Sequence, residues 1–370
     1  MPSANQTLGV GIIGCGRIVG HHVAAIEGNP DLDLVAVCDL DVDRATAMAP
    51  RPEVLVYRDY RQMLDENPQI DIVAIATPSG LHFPHAKDVV DRWAKSVVIE
   101  KPPTLKFTEL DDLVSRADSQ GVHVFPVFQY RFNAPVQRIR RGIQDGELGE
   151  LRIISIRQRW CRTQRYYDQG AWRGTYSLDG GALTNQGIHH LDLIQYFGGP
   201  VAEVFAVKAT FGSNIEAEDT VVATLKFASG AVGSLEITTA TRPDDIESSV
   251  SVIGANGFAV LGGWATDKLL EYSPNPADTE TYSQSNADAY GLGHEDIYRG
   301  VVGAIRGTDG PAVETADARQ VLQLLHALYV SADECRCVET SEGVEFDALG
   351  AYDEPLWDSY GVALDAGEWV

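Results

Sequence analysis

The sequence predicts an α/β protein of two domains, a parallel sheet followed by a large, mostly antiparallel open sheet. Three observations carry this. Residues 8–125 alternate short apolar runs, dense in Val and Ile, with helical patterns. After about residue 125 the runs lengthen and begin to alternate apolar with polar side chains. A glycine-rich turn, Gly14-Cys15-Gly16, follows directly on the first run.

The first runs are Val10–Ile13, Leu34–Cys38, Ile72–Ala76 and Val97–Ile99, each bounded by Gly, Pro or Asp. Unbroken β-branched runs of this length suit strands buried on both faces, as in a parallel sheet. Helical stretches at His21–Glu27, Ala45–Met48 and Pro84–Trp93 complete a βαβ series. In the second half Leu151–Arg162, Val204–Phe211, Thr220–Phe227, Val232–Thr239, Val250–Ile253 and Phe258–Leu261 read as strands. Ser229-Gly230 and Asn256-Gly257 sit between them as hairpin turns. Helices are expected at Glu295–Ile305 and Ala316–Ala332, the second capped by Thr315. The expected division is 1–125, 126–340 and an acidic C-terminal extension, 341–370.

Composition narrows the function. The chain has 370 residues and 44% hydrophobic side chains, enough for two cores. No apolar run approaches the ~20 residues of a membrane span. The N-terminus has neither the basic region nor the apolar stretch of a secretory signal. The five cysteines are odd in number and form no CxxC pair, which points to a reduced cytoplasm and to no metal site. A net charge of −24 disfavours nucleic acid and anionic membrane as partners. Only 7 of the 29 basic residues are lysine, and 31 aspartates exceed 22 glutamates, a pattern of salt-adapted proteins.

The GxG turn lets backbone N–H groups and a helix N-terminus approach a pyrophosphate, with Gly14, Gly16, Arg17 and Ile18 around it. Val19 stands where the fingerprint has Gly or Ala. Asp39 ends the second strand 23 residues after Gly16, where an acid binds the adenosine ribose hydroxyls. Leu40 and Asp41 follow, and no base appears until Arg44, so a 2′-phosphate would meet negative charge. The expected cofactor is NAD, on a Rossmann domain. The third and fourth strands end in Ala76-Thr77-Pro78 with His82, and in Glu100-Lys101-Pro102. Ligands of open α/β sheets bind at such carboxyl ends. A lysine there, in an apolar cleft, can lose pKa and exchange protons.

The stretch Asp179 to Asp192 reads as one helix with a polar stripe, ended by Gly198-Gly199-Pro200. Asn185, His189, Asp192 and Tyr196 fall within about 60° of one another. An imidazole one turn from an amide and one turn from a carboxylate is placed for proton transfer, with Asp192 or Asn185 orienting His189. His190, on the adjacent face, reads as structural.

Together these motifs, with Gly293-His294-Glu295 and Tyr329-Val330-Ser331-Ala332, resemble the Gfo/Idh/MocA oxidoreductases over about residues 8–340. The resemblance implies an NAD(P)-binding Rossmann domain and a second domain whose open sheet supplies the substrate pocket and an oligomer interface, hence a homodimer or homotetramer. It places Gln129 among the cofactor-binding residues and makes Lys101 and His189 the catalytic pair. One accepts the hydroxyl proton and the other polarises the forming carbonyl.

Arg159 to Asp168, Trp172-Arg173-Gly174-Thr175 and Asp179-Gly180-Gly181 with Asn185, Gln186, His189 and His190 resemble more narrowly the UDP-N-acetylglucosaminuronate 3-dehydrogenases. Asn185, where many family members have Asp, agrees with that subgroup. The implied substrate is an anionic nucleotide sugar, met by Arg131, Asn133, Arg159, Arg162, Gln164, Tyr166, Trp172, Arg173, Asn185 and His189. In so acidic a chain, the run Arg157, Arg159, Arg162 and Arg165 gathers positive charge. Two alternatives remain: a dehydrogenase of a free sugar or cyclitol, and a relative that uses bound NAD without net redox.

Overall fold

The computed structural model describes residues 6–286 and 288–360. The first sheet holds six parallel strands: β1 (Leu8–Ile13), β2 (Leu32–Cys38), β3 (Leu55–Tyr57), β4 (Ile70–Ile75), β5 (Ser96–Ile99) and β6 (Val124–Pro126). Their order is β3-β2-β1-β4-β5-β6. Val10, Ile12, Leu34, Ala36, Ile72, Ala74, Val97 and Val98 are fully buried, because helices cover both faces. The order reverses between β1 and β4, which opens a crevice at the carboxyl ends of those strands. β3 and β6, three residues each, are too short to leave a period in the sequence.

The second sheet has eight strands: β7 (Leu151–Arg159), β8 (Val201–Ala209), β9 (Thr220–Phe227), β10 (Val232–Thr238), β11 (Glu247–Gly254), β12 (Phe258–Gly262), β13 (Lys268–Tyr272) and β14 (Val338–Glu339). The order is β13-β12-β11-β7-β10-β9-β8-β14, antiparallel throughout except between β7 and β10. Period-2 alternation sorts the side chains. Val221, Ala223, Leu225 and Phe227 are buried beneath the helices Ile188–Gly198 and Thr315–Glu334, while Val222, Thr224 and Lys226 face outward. That outer face also carries Ile153, Phe205, Val207 and Val232, all exposed by 40% or more.

The C-terminal helices return to the first domain. His294–Arg306 packs on Val19–Glu27, and Thr315–Glu334 touches both β8 and the helix Phe107–Gln120. Thr315 is the first residue of its helix rather than its cap. Glu314 takes the cap position, with no side-chain hydrogen bond. The extension packs back on the body through Leu349 and Trp357, 0% and 4% exposed. Its last ten residues, 361–370, lie outside the described residues, as do residues 1–5 of the N-terminus.

Candidate active site

Gly14 has φ +89°, and a Cβ there would lie 2.7 Å from the carbonyl oxygen of Ala76, so β1 can turn into its helix beside β4 only with glycine. A Cβ on Gly16 would meet nothing within 4 Å, so that backbone faces open cleft. Val19 is fully buried and fills the helix–sheet contact itself. Asp39 Oδ2 accepts the N–H of Cys15 at 2.7 Å and Oδ1 that of Asp41 at 2.9 Å, which ties the end of β2 to the glycine turn. Each oxygen keeps a lone pair for a ribose hydroxyl. Arg44 reaches back to Asp39 at 3.5 Å and Asp41 at 3.4 Å.

From this turn a cleft of about 1410 Å³ runs to the second domain. Gly14, Gly16, Arg17, Ile18, Asp39, Thr77, Pro78, His82, Glu100 and Lys101 all line it. The His82 ring bridges the carbonyls of Pro102 (2.7 Å) and Thr77 (2.9 Å), joining the ends of β4 and β5. Gln129 does not line the cleft; it is 1% exposed, and neither its amide oxygen nor its nitrogen has a hydrogen-bond partner. The residues present fit a dinucleotide: an open glycine backbone, a helix start, and an acid at the ribose position.

At the far end Lys101 and His189 line the same cleft. Lys101 Nζ donates to the carbonyl of Asn185 at 2.7 Å. Burial pulls the Lys101 pKa down, against the pull of Glu100 and Asp179. The His189 ring stacks on Tyr130, centroids 4.2 Å apart and planes 19° from parallel. Its Nδ1 is buried without a hydrogen-bond partner. Burial, reinforced by the Lys101 charge, holds its pKa well below 6.5, so the imidazole is neutral at pH 7. Burial would raise the Glu100 pKa, but hydrogen bonds from His22 (3.0 Å) and His294 (3.1 Å) overcome it and keep a carboxylate. Among the described residues this His22–Glu100–His294 group alone has metal-ligand spacing, and here it is a hydrogen-bonded trio tied to Tyr298 through His22 Nδ1 at 2.9 Å. Asp179, pushed up to about 6 by burial, accepts from the amide N–H of Gly174 at 2.7 Å and from Asn185 Nδ2.

The helix expected across 179–198 is two, Ala182–Asn185 and Ile188–Gly198, joined at Gln186-Gly187. The break gives the Asn185 carbonyl to Lys101. Neither expected partner orients His189. Asn185 bonds Asp179, and Asp192 is held by Arg131, Nε at 2.9 Å and Nη2 at 2.5 Å. Arg131 also pairs with Asp317 at 2.6 Å, so this guanidinium is buried structure away from the cleft. Asn133 is buried as well and donates to the carbonyl of Ala265 at 2.6 Å. Gln164 bonds Asp168 and Asn214 outside the cleft.

Arg159 is displaced for a reason of register. Along β7 alternate side chains face opposite ways, so Arg157 and Arg159 lie on the outer face, where Arg159 pairs with Glu236 (2.6 Å) and Glu247 (3.2 Å). Trp160 and Arg162, beyond the strand, reach the cleft. There Arg17, Arg162 and Arg173 surround the Tyr166 ring at 5.9, 5.7 and 4.6 Å. Arg173 donates to the Tyr166 hydroxyl at 2.7 Å and lies 4.4 Å over Trp172. Arg162 is neutralised by Asp245 at 3.0 Å. Among the described residues Arg17 and Arg173 are in no ion pair. The cleft holds Arg17, Arg44, Arg58, Arg61, Lys101, Arg162 and Arg173 against Asp39, Asp41, Asp59 and Glu100, a positive balance within a chain of charge −24. Tyr130, Trp160, Tyr290, Ser359 and Tyr360 also line it. Trp160 lies within the Arg159–Asp168 run that carries the narrower resemblance, while Tyr290, Ser359 and Tyr360 belong to no motif of the sequence.

Residues 8–128 match the family described as an oxidoreductase family with an NAD-binding Rossmann fold, and residues 136–260 match the GFO/IDH/MocA C-terminal domain. The WlbA dehydrogenase of Bordetella pertussis, solved with NADH and UDP-GlcNAcA, superposes with a TM-score of 0.85 at 34% identity over 91% of this chain and 99% of that one. The D-glucoside 3-dehydrogenase of Escherichia coli is 28% identical over 359 residues, 89% of this chain and 96% of its own length. The myo-inositol 2-dehydrogenase of Thermotoga maritima is 24% identical over 344 residues, 90% and 98%. With an NAD-binding first domain, a lysine and a neutral histidine across its cleft, and these relatives, the chain belongs to the Gfo/Idh/MocA family of NAD-binding oxidoreductases.

Proposed function

We propose that the protein oxidises the 3-hydroxyl of a UDP-linked N-acetylhexosaminuronate. The observation that carries this is the cationic, aromatic wall of Arg17, Tyr166, Trp172 and Arg173, continuous with Lys101 and His189 in one cleft. A neutral polyol needs no such charge, whereas arginine forks match carboxylate and diphosphate oxygens and aromatic rings stack on uracil. The similarity to a dehydrogenase solved with UDP-GlcNAcA supports the same reading.

Bound NAD supplies the hydride acceptor. The chain's own groups handle the proton. Neutral His189, held flat against Tyr130, takes the hydroxyl proton, while the Lys101 ammonium donates a hydrogen bond to the same oxygen as it becomes a carbonyl. The bond from Lys101 to Asn185 fixes the ammonium and leaves two N–H donors for the substrate. The Arg17–Arg173 wall sets the sugar ring, and with it the carbon that loses hydride.

The open sheet face supports a second element of the proposal, a homodimer or homotetramer. Ile153, Phe205, Val207, Val222 and Val232 make an exposed apolar surface on one side of paired strands. The test of function is NADH formation, followed by absorbance, with UDP-N-acetylhexosaminuronates, free sugar acids and cyclitols offered in parallel. Turnover of the nucleotide sugar at least tenfold above the free compounds in kcat/KM supports the proposal. Preference for a free polyol replaces it with the alternative represented by the E. coli and T. maritima relatives. A product at the same oxidation level as the substrate, formed without NADH accumulation, replaces it with a non-redox use of the cofactor.

A further inference from the structure

The residues after the second sheet do not trail away. Glu345 accepts from the backbone N–H and hydroxyl of Thr108, each at 3.0 Å, and the Gly350 N–H donates to the carbonyl of Tyr176 at 2.9 Å. Asp353 then caps a short turn of helix, Glu354–Asp358, by accepting from Leu356. Trp357 anchors that turn. It is 4% exposed, packs on Leu81 and Leu178, and donates from Nε1 to Ser177 Oγ at 2.8 Å. Leu81 belongs to the turn after β4 that lines the cofactor end of the cleft. The anchor therefore delivers the next residues, Ser359 and Tyr360, into the cleft wall.

Tyr360 packs against the same apolar cluster, its phenol meets the backbone of Trp172, and it lies within electrostatic range of both Arg173 and Arg44. Arg44 marks the adenosine end, through its pair with Asp39, and Arg173 the substrate wall. The phenol thus lies between them, in the wall of the same cleft that the open backbone of Gly16 lines. A hydroxyl there donates to phosphate or ribose oxygens, and its ring shields them from water.

We propose that Ser359 and Tyr360, carried by the Trp357 anchor, are binding residues for the dinucleotide: a C-terminal strap laid across the cofactor, which slows its dissociation. The strap acts on the NAD that the Rossmann domain binds and needs no particular sugar. It extends the proposed function by making cofactor release a property of the C-terminal segment.

The experiment is NADH binding to the full-length protein, by energy transfer from tryptophan to NADH, with the dissociation rate from stopped-flow displacement by NAD. The variants are Tyr360→Ala, Tyr360→Phe and Trp357→Ala, and their melting curves are recorded in parallel. Tyr360→Ala is expected to raise Kd for NADH about 10-fold, mainly through faster dissociation, as loss of a hydrogen bond to a charged group implies. Tyr360→Phe is expected to show part of that effect, and Trp357→Ala at least as much as Tyr360→Ala. If Tyr360→Ala melts as the parent does and binds NADH with Kd and off-rate within twofold of it, the strap proposal is overturned. A change confined to KM for the sugar would overturn it too, by placing Tyr360 on the substrate. No substrate enters the binding assay, so failure to oxidise a UDP-uronate leaves it unaffected.

Discussion

Lys101 Nζ and the carbonyl oxygen of Asn185 lie 2.7 Å apart, a hydrogen bond that joins the end of β5 to the break between two helices of the other domain. The bond holds the half-buried Lys101 ammonium in the cleft, where the proposed oxidation brings a sugar hydroxyl, and Glu100 and Asp179 sustain its charge against desolvation. Replacing Lys101 by Met keeps much of the volume and removes the donors. The expected loss is about 10²–10⁴-fold in kcat, the usual range for a positioned acid or base, with Kd for NADH changed less than about threefold. Steady-state kinetics beside the NADH titration separate the two. Equal damage to both would make Lys101 a cofactor ligand instead.

The His189 proposal carries a pH signature. Burial and the Lys101 charge hold its folded pKa well below 6.5. Between that folded value and the unfolded value near 6.5, the unfolded chain binds a proton that the folded chain does not. Stability therefore falls as pH drops below about 6.5 and is fully present above it. Activity follows the same group. The acid limb of kcat/KM is expected below pH 6.5, since the free enzyme keeps a neutral base to lower pH than an exposed histidine would. His189→Gln should cost at least about 10²-fold in kcat and remove that limb. An unchanged limb in the variant would assign it elsewhere, with Asp179, pushed up to about 6, the group to test next.

Two of the four candidate substrate arginines, Arg173 and Arg159, separate cleanly by variant. Arg173 stacks on Trp172 and Tyr166 in the cleft and has no carboxylate partner among the described residues, so Arg173→Ala should raise KM for the nucleotide sugar about 10–100-fold. Arg159 is spent on Glu236 and Glu247 on the outer sheet face, and Arg159→Ala should leave that KM within about twofold. The reverse ranking would place the substrate on the wrong side of β7.

How far the sequence reveals this arrangement depends on what kind of signal each residue leaves. Lys101 closes an apolar run before a proline, and His189 sits in a helical stripe, so strand ends and helix periods point to both. The parallel and antiparallel sheets are legible for the same reason, period and run length. Asp192 and Arg131 mislead because helical spacing tells which side chains are neighbours on one helix, whereas the partner that Asp192 takes comes from 61 residues away. Arg159 misleads by parity alone, one residue from Gln158, which is fully buried on the opposite face. Tyr290 and Tyr360 come from segments without a period, so only the folded chain reveals that they reach the cleft.

Gly181 tests the packing behind the site. A Cβ there would sit 2.1 Å from the Glu218 carboxyl carbon, which is itself buried and held by the Leu183 N–H and the Tyr329 hydroxyl, each at 3.0 Å. The carboxyl cannot swing away without leaving a buried donor unpaired. Gly181→Ala should therefore cost about 1–3 kcal/mol in urea unfolding, as overpacking does. A neutral result would mean that the Gly180-Gly181 turn yields.

The proposed homo-oligomer, formed through the outer sheet face, should depend on salt. Each chain carries −24, so two copies repel as they approach, and in dilute buffer the repulsion reaches across the interface because the Debye length is about 30 Å at 0.01 M against about 3 Å at 1 M. Val207, Val222 and Val232, 46–54% exposed on adjacent strands, supply an apolar attraction that salt does not weaken. The expected outcome is an oligomer that tightens as salt rises from about 0.01 to 1 M, measured by sedimentation velocity. Val222→Glu, which puts a charge in the middle of that face, should shift the protein to monomer at every salt concentration while NADH still binds in the distant cleft. A parent that is monomeric throughout, or a Val222→Glu variant that associates as the parent does, would remove this face from the assembly. A parent whose association weakens as salt rises would instead make the Arg157, Arg159, Glu236 and Glu247 ion pairs the main contact.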